Sequence, residues 1–266
     1  MRISISLPSL YPNLLYSALE RIYSTTGKFD VEIVVMSPFE MSGPDIKWVR
    51  EDTPGGNCAA HALAYEHATG EVLITLTDDL LPQDGWLETI LARLAEGERR
   101  NPLFVTSLHN SLGALGTTFG IYYPYLPVLS RHTLRAISGY FSRDYIAHFG
   151  DADIGLRTWH AGGRCEPCLE AVVTFLDRRG SVQESPHKSS ALKQDAATFL
   201  AKWKSIYGID WPTGHIGDYN INVLEHVVKH VLQDGTIYLN DPLFAQIINK
   251  HYRDVRANYA ATQQKQ

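Results

Sequence analysis

The chain has 266 residues, 44% of them hydrophobic and 20% charged, which suits a globular protein with one large domain or one domain and an added C-terminal part. Its net charge of -5 and pI near 6.1 argue against a general polyanion binder, so no nucleic-acid partner is expected. Three cysteines exclude a disulfide scaffold, and no run has the order of a signal peptide or the length of a spanning helix. We therefore expect a cytoplasmic protein.

Strands and helices are predicted to alternate through residue 110. Arg2–Leu7 alternates apolar residues with serine, which predicts a strand, and a helical pattern follows it up to Gly27. The next predicted strands are Val31–Met36, "IKWVRE", "EVLITLT" and "LFVTSLH", and the helices between them are "NCAAHALAYEHATG" and "GWLETILARLAEGERR". This alternation predicts an α/β fold with a mainly parallel central sheet flanked by helices.

The second half of the chain is less regular. Residues Ser107–Tyr125 show no sustained period and predict an irregular loop or a hairpin. Beyond them we predict a helix in "SRHTLRAISGYF", a helix from about Ala152 to His160 and a strand in "LEAVVTFL". Two amphipathic helices, "DAATFLAKWKSIYG" and "NINVLEHVVKHVLQDG", follow. We divide the chain into a domain over residues 1–208 and a helical C-terminal extension over residues 209–266.

Two acidic clusters are the candidate functional residues. Asp78 and Asp79 follow a buried strand, at the sheet edge where ligands of parallel α/β folds bind. Adjacent carboxylates there suit Mg²⁺ or Mn²⁺, whereas the structural alternative is a turn or a helix cap. Asp151 lies near a helix start, where it is either a general base or a cap, and His187 is either a third ligand or a solvated histidine.

The pair Cys165 and Cys168 has the spacing of half a zinc or redox site. The chain contains no second pair of this kind, so we do not expect metal binding there.

The order of several motifs resembles the family 2 glycosyltransferases of GT-A fold, from Arg2 to Gly208. The motifs that carry the resemblance are "ISISLPS", "EIVVM", "TGEVLITLTDDLLPQDGWLETI", "FGDADIGLRTWHAGGR" and "FLAKWKSIYG". The resemblance implies an inverting, nucleotide-sugar-dependent enzyme. Residues 1–110 would then form the nucleotide-sugar-binding half, and residues 111–208 the acceptor and catalytic half.

The resemblance also implies a donor site. Residues in the first loop would contact the nucleotide base, namely Pro8, Ser9 and Leu10. Ser37 stands where the family's second strand ends in a base-binding Asp, and Asn57 stands near the family's donor-contacting position.

The acidic motifs take their roles from the same resemblance. Asp78 would approach the ribose or the metal, Asp79 would ligate the metal on the diphosphate, and His187 would complete that site. Asp151 corresponds to the catalytic base, and Gly150 replaces an acid of the family motif.

The expected reaction moves a sugar from a nucleotide-diphosphate donor to a hydroxyl of a glycan or a lipid-linked acceptor. The C-terminal helices could pack on the domain, pair two subunits, or hold the protein at the inner face of a membrane.

Two other functions stay open at this point. A nucleotidyltransferase also uses paired acids and metal, but it usually has a glycine-rich, basic loop after the first strand, which "PSLYPN" is not. A non-catalytic domain that binds sugar nucleotides or glycans would explain the replacements at Ser37 and Gly150.

Overall fold

The computed structural model describes residues 1–110, 117–118, 121–176 and 188–207. Within these residues there are ten strands: β1 Ile3–Pro8, β2 Val31–Ser37, β3 Ile46–Arg50, β4 Val72–Thr75, β5 Leu80–Pro82, β6 Phe104–Asn110, β7 Thr117–Thr118, β8 Ile121–Tyr122, β9 Pro127–Ser130 and β10 Arg164–Phe175. Six helices accompany them: α1 Pro12–Thr26, α2 Asn57–His67, α3 Trp86–Arg100, α4 Arg131–Ala136, α5 Gly150–His160 and α6 Lys188–Tyr207.

Eight of the strands form one sheet in the order β3-β2-β1-β4-β9-β6-β10-β5. The pairs β3–β2, β2–β1, β1–β4 and β6–β10 are parallel, whereas β9 and β5 run antiparallel to their neighbours. The chain passes from β1 outward to β3 and then returns to place β4 on the other side of β1. The carboxyl ends of β1 and β4 therefore form a topological switch point, where open α/β sheets bind ligands.

The sheet has an apolar core on each face. Helices α1 and α3 cover one face, where Leu15, Ile22 and Trp86 pack on the strands. Helices α2, α5 and α6 cover the other face, where Tyr140, Ile154 and Phe199 belong to the core. Burial on both faces explains why β1 and β2 consist almost entirely of buried residues.

A buried carboxylate closes the amino edge of the sheet. Glu32 is 3% exposed and accepts hydrogen bonds from the Ser4 hydroxyl, from the backbone and side chain of Thr69, and from Gly70 N at 3.1 Å. Arg2 Nη2 lies 3.4 Å from Oε2 of Glu32. These contacts join β1, β2 and the turn before β4 at the edge opposite the switch point.

The predicted fold class is confirmed, and the predicted elements through residue 110 are present. Two antiparallel strands, β5 and β9, were not predicted. The helix predicted from about Ala152 begins two residues earlier, and the one predicted in "SRHTLRAISGYF" covers only Arg131–Ala136. Residues 209–266 lie outside the described part, so the C-terminal extension stays a prediction. No described helix has the length and apolar character needed to cross a bilayer.

Candidate functional site

The switch point is bridged by a hydrogen bond between the two loops that leave β1 and β4. Ser9 Oγ donates to Asp78 Oδ2 at 2.6 Å, and both side chains are buried. Two residues that the sequence nominated separately thus meet across this edge. The bond fixes the β1–α1 loop beside the acidic pair.

Asp79 has different surroundings from Asp78, although the two are adjacent in sequence. The Thr77 hydroxyl donates to Asp79 Oδ1 at 2.5 Å, and Leu176 N donates to the Asp79 carbonyl at 2.8 Å. The Asp79 side chain is only partly buried, whereas Asp78 is 7% exposed. Asp79 is consequently the carboxylate of the pair that offers more access to a metal ion or a diphosphate.

A cleft of about 80 Å³ opens beside this pair. Its lining brings together residues from the first half of α2, from the end of β4 and the loop after it, and from the start of α5, among them Asn57, His61, Thr75, Thr77 and Asp151. Two predicted site residues, Asn57 and Asp151, therefore share one cavity, and Thr77 joins that cavity to the acidic pair.

Asp151 lies in the first turn of α5. Its Oδ1 accepts a hydrogen bond from Ala152 N at 2.9 Å. Burial raises the pKa of its carboxyl to about 6, against the opposing effect of backbone hydrogen bonds. A carboxylate with such a pKa is a stronger base than an ordinary aspartate and is still mostly ionised at neutral pH.

Asp153, two residues further along α5, is a structural residue. It is fully buried and receives Arg157 Nε at 2.8 Å, Lys202 Nζ at 2.7 Å and Trp203 Nε1 at 2.8 Å. A carboxylate with these partners is held in place as an ion pair, so the second acidic cluster divides into one cleft residue and one anchor.

His61 was missed by the sequence analysis. It is fully buried in α2 and lines the cleft, with Nδ1 2.6 Å from Ser6 Oγ and its ring stacked on Phe141. Its Nε2 finds no hydrogen-bond partner within the described residues. Burial lowers the pKa of this imidazole to about 3, so it is neutral at physiological pH. A buried nitrogen without a partner, on a residue that lines a cavity, is a candidate ligand contact. The position of His61 in an alanine-rich helix gave no indication of this in the sequence.

The other nominated residues lie at or near the same sheet edge. Pro8 ends β1, and Leu10 follows Ser9 in the next loop. Ser37 ends β2 and is fully buried; its hydroxyl donates to Phe39 O at 2.6 Å and accepts from Trp48 Nε1 at 3.0 Å. His187 lies outside the described residues.

The structure gives a steric reason for the glycine at position 150. A Cβ there would lie 2.4 Å from the Phe141 ring and 2.7 Å from Cys58 Sγ. No acidic side chain fits this position unless the Phe141 ring and the Cys58 side chain move.

Cys165 and Cys168 are both buried free cysteines on β10. Cys165 packs in the core on the α5 face and Cys168 in the core on the α3 face, so the pair does not converge on one ligand. Among residues 1–110, 117–118, 121–176 and 188–207, no group of three or more His, Cys, Asp and Glu side chains could hold a metal ion by itself.

Comparison with protein-family models matches residues 31–113 to glycosyl transferase family 2. This segment runs from β2 to just past β6 and includes Asn57, His61, Asp78 and Asp79. The match confirms the resemblance over that part of the chain. Comparison with curated protein sequences finds no match.

Solved glycosyltransferase structures share the fold at low sequence identity. GalNAc-T7 with UDP, GalNAc and Mn²⁺ aligns with a TM-score of 0.61 at 14% identity, over 91% of this chain and 58% of that one. The mannosyltransferase PcManGT from Pyrobaculum calidifontis, with GDP-Man and Mn²⁺, gives 0.56 at 18% identity, over 96% and 82%. TarS from S. aureus, with UDP-GlcNAc, gives 0.54 at 14% identity, over 100% and 93%. This chain thus spans less than two thirds of the GalNAc-T7 chain, and the three likenesses confirm the GT-A fold.

Proposed function

We propose that this protein is a glycosyltransferase. It would move a sugar from a nucleotide-diphosphate donor to a hydroxyl of a glycan or lipid-linked acceptor, with inversion at the anomeric carbon and with Mn²⁺ or Mg²⁺. The observation that carries the proposal is the position of Asp151. This carboxyl, with its pKa raised to about 6, lines a cleft at the carboxyl edge of the sheet, and Thr77 connects that cleft to Asp78 and Asp79.

Asp151 is the general base of the proposed reaction. It takes the proton of the acceptor hydroxyl while that oxygen forms a bond to the anomeric carbon. The bond between this carbon and the diphosphate oxygen breaks, and the electron pair leaves with the nucleoside diphosphate. Attack from the face opposite the leaving group inverts the configuration.

Asp79 and Asp78 are the proposed metal ligands. Their all-oxygen donor set suits a hard divalent cation, and two protein carboxylates leave coordination positions for diphosphate oxygens. When bound, the metal would neutralise charge that develops on the leaving group. Ser9 keeps Asp78 in place through the hydrogen bond described above. The third proposed ligand, His187, lies outside the described residues.

The remaining donor contacts are proposed for the same edge. Pro8, Ser9 and Leu10 end or follow β1 at the switch point, Ser37 ends the neighbouring strand β2, and Asn57 lines the cleft. The comparisons support a nucleotide-sugar donor, since the similar structures contain UDP, GDP-Man or UDP-GlcNAc, two of them with Mn²⁺. They do not select a nucleotide or a sugar for this chain.

A ligand-binding screen tests the donor site. Thermal shifts are measured with UDP, GDP, CDP and dTDP, each with and without Mn²⁺, on the native chain, on Asp79→Ala and on Asp84→Ala. Asp84 is a suitable control because it lies five residues further along the chain, where its 88% exposed carboxylate forms an ion pair with Arg21. We expect one nucleotide to stabilise the native chain and Asp84→Ala in the presence of metal, but not Asp79→Ala.

Product analysis then separates the functions. Sugar transfer to an acceptor, or slow metal-dependent hydrolysis of the donor, supports the proposal. Synthesis of a nucleotide sugar from a sugar phosphate would indicate a nucleotidyltransferase. Binding with no turnover would indicate a sugar-nucleotide-binding domain, and no binding of any nucleotide would refute the donor site.

A further inference from the structure

Helix α6 contacts the chain on both sides of Asp151. Before it, the Asp195 carboxylate accepts hydrogen bonds from Ile146 N, Ala147 N and His148 N, each at 2.9 Å. After it, Lys202 and Trp203 bind the carboxylate of Asp153. The segment that carries the proposed base is therefore anchored to one helix at two points.

The Asp195 contacts are of a strong kind. Its side chain is fully buried, and three consecutive backbone amides converge on it. Hydrogen bonds from backbone N–H groups to an ionised carboxylate are stronger than neutral ones, and the loss of a partner at a buried carboxylate is costly. This carboxylate thus determines the backbone path of residues 146–148.

That backbone path is part of the cleft. Ala147 lines the cavity, and the Ile146 carbonyl accepts a hydrogen bond from Cys58 N at 3.0 Å, at the start of α2. Gly56 adjoins the same carbonyl so closely that a Cβ would lie 2.3 Å from its oxygen. A shift of the loop would therefore change both the cleft wall and its contact with α2.

The residue between the loop and α5 needs external support. Phe149 has φ 62°, a left-handed conformation that is unfavourable for a non-glycine residue. Its ring stacks on Phe199 of α6, with the centroids 4.8 Å apart. Asp195 and Phe199 lie one helical turn apart, so one face of α6 holds residues 146–149.

We propose that Asp195 is a positioning residue for Asp151 and for the cleft wall. It fixes residues 146–149, and through them the start of α5, from which Asp151 faces the cleft. The role in turnover depends on the proposed function, whereas the role in holding the loop does not. The asparagine side chain in Asp195→Asn has nearly the same shape as aspartate. Its NH₂ group cannot accept a hydrogen bond, however, so it replaces one of the two oxygens to which backbone N–H groups donate in the native chain. The loop therefore loses part of its support.

Thiol labelling tests the loop without any assay of activity. Cys58 is 2% exposed and packs beneath the loop, with Sγ 3.8 Å from the His148 carbonyl, whereas Cys165 is fully buried elsewhere in the same core. Alkylation by iodoacetamide is followed at each cysteine by mass spectrometry. In Asp195→Asn we expect Cys58 to react about tenfold faster than in the native chain, with Cys165 unchanged.

Glu32→Gln is the matched control, because Glu32 is also a buried carboxylate that receives backbone amides, at the opposite edge of the sheet. It should not change the ratio of Cys58 to Cys165 labelling. Equal acceleration at both cysteines in Asp195→Asn, or none at either, would overturn the proposal. If Asp195→Asn does not fold, Phe199→Leu weakens the support at Phe149 and should give a smaller change at Cys58 alone.

Transfer kinetics test the consequence for Asp151. In Asp195→Asn we expect kcat to fall about tenfold to a hundredfold while KM for the donor stays within about twofold, because misplacement of a reacting group slows chemistry more than it weakens binding. Glu32→Gln should keep the native kcat per folded molecule. An unchanged kcat in Asp195→Asn would overturn the positioning role. A native chain without turnover would instead refute the proposed function, and labelling would still decide whether Asp195 holds the loop.

Discussion

The two edges of the central sheet place their carboxylates in opposite electrostatic surroundings. At the amino edge, Glu32 is surrounded by hydroxyl and amide donors and by Arg2. Although burial alone would raise its pKa, the hydrogen bonds from Ser4, Thr69 and Gly70 lower it below the ordinary value. At the carboxyl edge, burial raises the pKa of Asp151 to about 6.

The opposite pKa shifts of Glu32 and Asp151 suit one carboxylate to stabilising the fold and the other to accepting a proton. A carboxylate whose ionised form is favoured by its neighbours contributes to the stability of the fold, but it is a weak base. A carboxylate whose ionised form is disfavoured reduces stability at neutral pH and gains affinity for a proton. Glu32 at the amino edge is a carboxylate of the first kind, and Asp151 in the cleft is one of the second kind.

Removing the base should have the largest effect. We expect Asp151→Asn to lower kcat by about a hundredfold to ten-thousandfold, since the acceptor proton would have no base to receive it. Rates are compared at saturating donor, with Asp84→Asn as the control because the exposed Asp84 carboxylate pairs with Arg21 and does not line the cleft. Equal kcat for Asp151→Asn and the native chain would remove Asp151 from the mechanism.

A substitution at the amino edge should reduce the stability of the fold. Glu32→Gln should lower the free energy of unfolding by about 2 to 4 kcal/mol, because the amide leaves buried donors without an anionic acceptor. Urea unfolding measures this loss. The control is Glu88→Gln, whose exposed side chain lies 3.8 Å from exposed Lys28 and should change stability by less than about 0.5 kcal/mol. A similar small change in Glu32→Gln would contradict the comparison.

The pH dependence of stability should differ in sign between the edges. The folded-state pKa of Asp151 lies above its unfolded value, so its protonated form favours folding, and this stability is lost as pH rises through about 6. Asp151→Asn should therefore exceed the native chain in stability by up to about 3 kcal/mol near pH 7.5, with the gap closing below about pH 4.

Glu32 should show the reverse dependence, because its lowered pKa contributes stability above the ordinary glutamate pKa and loses it in acid. The stabilities of Asp151→Asn, Glu32→Gln and the native chain are measured by urea unfolding at acidic and neutral pH. A gap between Asp151→Asn and the native chain that widened in acid would show that burial does not raise this pKa.

The smallest effect is expected at His61. His61→Phe keeps a ring against Phe141 but removes the unpartnered Nε2 and the bond to Ser6. We expect a stability loss of about 1 kcal/mol and roughly tenfold weaker binding of the nucleotide identified in the screen. Isothermal titration calorimetry measures the affinity. Unchanged affinity would place His61 among the core residues of the cleft wall, outside the donor site.

Local patterns predicted the parallel part of the fold. The alternating strand β1, the apolar strand β2 and the helices between them follow from periodicity, and the carboxyl edge then places Asp78 and Asp79 near Ser9. The antiparallel strands β5 and β9 were missed because each has only three or four residues, too few to show a period.

The sequence predicted a site residue only where a reactive side chain stands at a recognisable end of a predicted helix or strand. Asp151 was found because an acid at a helix start is recognisable in sequence. The same pattern did not distinguish it from Asp153, whose partners include Lys202 and Trp203 of α6. His61 and Asp195 each read as ordinary helix residues. Their roles depend on contacts across 55 and 47 to 49 positions of the chain, which no local pattern contains.

The dependence of the cleft on α6 has a consequence during synthesis. The strands of the sheet, α2 and Asp151 all leave the ribosome before Asp195 and Phe199. A nascent chain could thus pair its strands and still lack the contacts that hold residues 146–149. Maturation of the cleft is expected to be among the last events in the folding of the described region, so a chain released early would carry the sheet without a working site.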